Sequence, residues 1–65
     1  MYTLIQSTAV IDEKPTVVYG MQYCDHTFPH ISESKDAVLA IIELCNQYDV
    51  DPVHAEDVAE DYLHS

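Results

Sequence analysis

The chain divides by the spacing of its apolar residues. Tyr2 to Ile11 and Thr16 to Cys24 are rich in Thr, Val, Ile and Tyr, the residues that suit a pleated, half-buried strand. Asp12-Glu13-Lys14-Pro15 lies between them, so the two runs predict a hairpin with a polar four-residue loop. In the second run Val17, Tyr19, Met21 and Tyr23 alternate with Thr16, Val18, Gly20, Gln22 and Cys24. The odd-numbered set is the more apolar and is expected to face the core. A four-residue loop would set Val10 near Val17 and Leu4 near Tyr23 on that face. Ile5, Ile11 and Val18 would point the other way. This second face is not purely polar, which suggests that something partly covers it, a partner subunit in a homodimer being one candidate. Gly20 inside a strand marks a bulge or a close approach of backbone.

Asp25 to Ser32 contains Pro29 and reads either as a loop or as a short edge strand around Phe28 to Ile31. Beyond it the period changes. Ser34 is a suitable N-cap, and Asp36 falls in the first turn. Val38, Leu39, Ile41, Ile42, Cys45 and Tyr48 then recur at spacings of three and four, which predicts an amphipathic helix over 35–47. Asp51-Pro52 is an N-cap followed by proline at the first helical position. It opens a second helix running to about His64, with Ala55, Val58, Ala59, Tyr62 and Leu63 as its apolar face. The expected fold is one small α+β domain over 1–65. A small antiparallel sheet, a hairpin with room for a third edge strand, packs against two C-terminal helices in the order β-β-(β)-α-α.

Composition adds charge to this picture. Among 65 residues, twelve acids face two lysines and no arginine, a formal net charge of −10. Nine of the acids and one lysine lie in 33–65, so that half carries −8 and residues 1–32 carry −2. Phosphate binding needs Lys and Arg to neutralise the backbone, so direct contact with nucleic acid is not expected, nor is docking on an anionic membrane. No apolar run approaches the roughly 20 residues that span a bilayer. The N-terminal residues lack a basic region of the signal-peptide kind, which points to a cytoplasmic protein. Two cysteines, Cys24 and Cys45, are too few for a disulfide framework and are expected to be buried small hydrophobes in a reducing compartment.

Val18-Tyr19-Gly20-Met21 in the second strand, Ile31-Ser32 before an acidic helix start, Asp36-Ala37-Val38, Leu44-Cys45-Asn46 and the terminal run Pro52 to Leu63 carry a resemblance. Together they are similar to a family of short bacterial proteins of unknown function, with a strand hairpin followed by two acidic helices. The resemblance covers about the last three quarters of the chain and implies no activity. The Cys24 to His30 segment lies outside it.

Four features could carry chemistry. Cys24, His26 and His30 supply a soft sulfur and two imidazoles four residues apart, with Cys45, His54 or an acid available as a fourth ligand. The spacing matches no zinc-finger pattern, so no metal is assigned and the set stands as the alternative to the main reading. His54-Ala55-Glu56 has the His-x-Glu form of the zinc deaminases but lacks their Pro-Cys-x-x-Cys ligands. A cysteine nucleophile would sit in acidic surroundings that suppress the thiolate. Gly20 is the only glycine, so no glycine-rich oxyanion or phosphate loop exists. The chain is therefore read as non-enzymatic and without a cofactor.

The fourth feature is the charge itself. Glu56, Asp57, Glu60 and Asp61 fall within about 9 Å along a helix axis, a density comparable to the phosphates of a single DNA strand. Asp49 and Asp51, with Glu43, extend the patch. The expected role is an acidic interaction module that meets a basic protein surface, in its sharpest form an inhibitor or regulator of a nucleic-acid-binding protein that imitates a phosphate backbone.

Overall fold

In the computed structural model, which describes residues 1–64, three strands precede two helices: β1 (Thr3–Ile11), β2 (Lys14–Tyr23), β3 (His26–Ser32), α1 (Lys35–Gln47) and α2 (Pro52–His64). The sheet is antiparallel in the order β1-β2-β3. Both helices pack on one of its faces. The α+β order expected from the sequence is the observed one, and the third edge strand is present.

The hairpin register differs from the expected one by two residues. Leu4 pairs with Met21 and Val10 with Pro15, because the loop is only Asp12-Glu13. Both residues have positive φ, 51° and 64°, the signature of a type I′ turn whose twist matches the flanking strands. Asp-Glu lacks the glycine that normally announces such a turn, and Pro15 suggested a longer loop. Pro15 is tolerated because β3 pairs with β2 only from Tyr19 to Tyr23. The missing N–H therefore faces an open edge. The β2–β3 connection is equally short: Tyr23 pairs with His26, and Cys24 takes φ 52° at the first turn position.

A two-residue slip preserves parity, so the core face is the expected one. Met21 is fully buried, and Tyr19 and Tyr23 pack beside it. They meet Val38, Ile41, Ile42 and Cys45 of α1, Ala55 and Ala59 of α2, and Tyr2. The outer hairpin escapes this cluster. Nine strand residues span about 30 Å, whereas a 13-residue helix spans about 20 Å. The tip therefore overhangs the helices, leaving Val10 77% and Val17 43% exposed on the core side.

On the opposite face Val18 is only 1% exposed, and its cover comes from within the chain. Between Met21↔Phe28 and Tyr19↔Ser32, β3 carries two more residues than β2. The bulge folds over the far face at Gly20. A Cβ there would lie 1.9 Å from the Phe28 carbonyl oxygen and 2.8 Å from the Pro29 carbonyl carbon. Ser7, which pairs with Val18, donates to the Pro29 carbonyl at 3.4 Å. Gly20 is thus the position of closest backbone approach, and the bulge is what buries Val18.

Both helices are capped as their sequences indicate. Ser34 Oγ accepts from the Ala37 N–H at 3.3 Å, and Asp51 Oδ1 accepts from the Val53 N–H at 3.0 Å. The C-terminus of α1 is a Schellman motif: the Val50 N–H donates to the Cys45 carbonyl, and the Asp49 N–H to the Asn46 carbonyl. Asp49 occupies the left-handed position at φ 50°. Val50, just beyond it, packs on the core.

Candidate interaction surface

The acidic surface is positioned by the turn between the helices. The Schellman motif reverses the chain at Asp49, and Asp51, four residues after α1 ends, caps α2. Tyr2 locks this turn from below. Its hydroxyl donates to the Val50 carbonyl at 2.6 Å, and its N–H donates to Asn46 Oδ1 at 2.7 Å. Asn46 Nδ2 returns a bond to the Tyr2 carbonyl at 3.1 Å. The Tyr2 ring, 2% exposed, stacks at a tilt on Tyr23 with centroids 4.7 Å apart. Burial pushes its phenol up to about 12, helped by Cys45, Tyr23, Asp51 and Asp49 nearby. Burial likewise raises the Cys45 thiol. Sequence reasoning missed this clasp, because an N-terminal tyrosine and a helix-terminal asparagine meet only across 44 residues of chain.

Helix α2 buries only Ala55 and Ala59, with Val58 partly covered. Tyr62 and Leu63, expected on its apolar face, are instead exposed. Neither belongs to the core cluster, whose α2 members end at Ala59. Asp49, Asp51, Glu56, Asp57, Glu60 and Asp61 are all exposed. At 3.6 residues per turn the four helical carboxylates fall in an arc about 140° wide, roughly opposite the Ala55–Ala59 stripe. Val53, 76% exposed, lies within that arc. The two lysines stand elsewhere, Lys14 at the hairpin tip and Lys35 at the start of α1. His54, Asp57, Val58, Glu60, Asp61 and His64 line a shallow depression along the helix. A second, more enclosed cleft lies between α2 and the β3 bulge, with Met21 and Ala59 at its floor and His30 and Glu56 at its rim.

The alternative ligand set is scattered. Cys24, expected to be buried, is instead exposed because the tight β2–β3 turn carries it off the sheet; His26 and His30 are exposed on β3, His54 is on α2, and Cys45 is buried on the core face of α1. Among the described residues no group of three or more His, Cys, Asp or Glu side chains converges as a metal site. Glu43 is exposed on α1, on the flank that also carries Leu39 and Asn46. Among the described residues no helix is long and apolar enough to cross a membrane.

The fold and surface define a small α+β protein with one acidic helix, and the whole chain has known relatives. Residues 1–65 match the model of a family of unknown function (DUF6514), and the chain belongs to that family. The match extends over the N-terminal strand and the Cys24–His30 segment as well as the elements that first suggested a relationship. No curated protein and no solved structure matches it.

Proposed function

We infer that this chain is a non-enzymatic binding module whose acidic α2 face, continued by Asp49 and Asp51, meets a basic protein surface. Its sharpest form is a regulator of a nucleic-acid-binding protein that occupies the site of a phosphate backbone. The observation that carries the reading is the placement of Glu56, Asp57, Glu60 and Asp61. All four are exposed on the side of α2 away from the core, and no lysine lies on that helix to neutralise them. Like charges at i,i+4, such as Asp57 and Asp61, cost a helix a few tenths of a kcal/mol each. Val53 adds an apolar contact in the middle of the charged arc, and a partner surface needs more than charge to bind tightly.

The test begins with capture of partners on the immobilised protein from its native host. Association kinetics of the captured partner are then measured against the parent and a variant carrying E56Q, D57N, E60Q and D61N. Loss of charge steering should slow association severalfold and flatten its salt dependence. A folded variant that binds with the parent's affinity and the parent's salt slope would refute the acidic-face reading.

A further inference from the structure

The two edges of the sheet are built differently. At β3 the edge is guarded: Pro29 removes a donor and the bulge breaks the line of the strand, both standard ways of preventing strand pairing. At β1 no such device exists. Thr3–Ile11 is nine residues long, pairs with β2 without a register shift, and contains no proline, glycine or charge. In a chain of net charge −10, this edge is where a second copy can approach without meeting a carboxylate on the strand itself.

We propose that β1 is a homodimer interface, in which two copies pair β1 antiparallel about a two-fold axis at Ser7 to make a six-stranded sheet. That register pairs all nine residues and keeps each on its own face. Leu4 meets the second copy's Val10 on the helix side, and Gln6 meets Thr8. Ile5 meets Ala9 on the far side. The arrangement also covers Val10, the most exposed apolar residue of the overhanging tip. Asn46 of α1 holds Tyr2 at the start of β1, so the α1 flank that shares a surface with Asn46, including Leu39 at 42% exposed, lies on the β1 side. Antiparallel pairing brings Val10 of the second copy to that flank. An isologous contact of this kind closes on itself and stops at two copies.

The size fits a reversible dimer. A strand edge about 30 Å long and about 10 Å tall, with the α1 flank adding a similar height over half that length, covers on the order of 450 Å² per copy. Twice that lies just below the roughly 1,000 Å² of a specific interface, which places the complex among weak, concentration-dependent ones. Helix α2 packs mainly on α1 and β3, so its acidic face stays free, and the dimer stands or falls independently of the acidic-face reading.

Sedimentation equilibrium across a concentration series, with circular dichroism as the fold check, tests the interface. The parent, 7.4 kDa as a monomer, should approach twice that mass well below millimolar concentration. Gln6 and Thr8 are exposed and face each other across the axis. The Q6K/T8K variant and the Q6E/T8E variant should therefore each be monomeric, and an equimolar mixture should restore the dimer. A Ser7→Cys substitution in a Cys24→Ser background should form an intermolecular disulfide on mild oxidation, and it decides the matter if the charged variants fail to fold. A folded parent that stays monomeric at every concentration overturns the proposal. So does a dimer insensitive to the charge changes, or absence of the Ser7→Cys cross-link.

Discussion

Helices α1 and α2 are both 13 residues long and both begin with a side-chain cap, yet they do opposite work. α1 buries Val38, Ile41, Ile42 and Cys45 and spans all three strands. α2 buries two alanines and leans on α1 and the β3 edge. Burying small alanine side chains contributes far less than burying isoleucine and valine, because hydrophobic stabilisation scales with apolar area removed from water. The difference teaches where charge can accumulate. A helix that must supply a core has little room for carboxylates, and one that supplies two alanines can spend its remaining faces on them. The core belongs to α1 and the surface to α2.

The largest test of this contrast is truncation. Ile41→Ala on α1 is expected to cost about 2–5 kcal/mol, enough to unfold most of a chain this small. Val58→Ala on α2 should cost about 1 kcal/mol or less, because Val58 is only partly buried. Urea denaturation measures both, and equal losses would break the comparison.

Next comes alkaline titration of the clasp beneath the C-terminus of α1. The Tyr2 phenol is raised from 10.0 to about 12 in the folded state. Its contribution is therefore fully present below pH 10 and is lost as pH rises through 12. A shift of this size corresponds to about 2–3 kcal/mol. The raised Cys45 thiol acts in the same direction, starting from an ordinary value of 9.0. Stability measured by urea midpoints should fall steeply above pH 10. Tyr2→Phe should cost about 1 kcal/mol at pH 8 through the lost bond to Val50 and should make the alkaline fall shallower. An unchanged slope would mean that Tyr2 is not what titrates.

The caps sharpen the contrast at about 1 kcal/mol each. Ser34→Ala should lower global stability, because α1 cannot fray without opening the core. Asp51→Ala should appear mainly as faster hydrogen exchange in the first turn of α2, with a smaller change in the global midpoint. Asp49→Gly should act with the opposite sign, stabilising by up to about 1 kcal/mol, because glycine adopts the left-handed position without strain. The smallest expected change belongs to the fourfold neutral variant of α2, which should stay within about 0.5 kcal/mol of the parent. A large loss would make those acids structural rather than available for binding.

What the sequence determined by itself was local. The period of three and four in Val38, Ile41, Ile42 and Cys45 located α1, and Ser34 and Asp51-Pro52 marked both helix starts, because caps and helix periodicity are set by residues within one turn of each other. The alternation in β2 identified Met21 and its neighbours as the core face for the same reason. Parity survives a two-residue slip, so that assignment held even though the turn length did not. The acids of α2 were legible as a cluster, since a helix carries its own spacing.

Only the tertiary structure decided the rest. The tight turn at Asp12-Glu13 depends on two left-handed residues that carry no glycine signal. The burial of Val18 depends on a β3 bulge folding back over Gly20, and the clasp of Tyr2 by Asn46 and Val50 joins the start of β1 to the turn between the helices. The exposure of Tyr62 and Leu63 at the end of an apolar stripe is likewise a matter of how α2 is seated on the core. Each depends on which surface comes to lie opposite a residue, and that is set by the packing of elements distant in sequence.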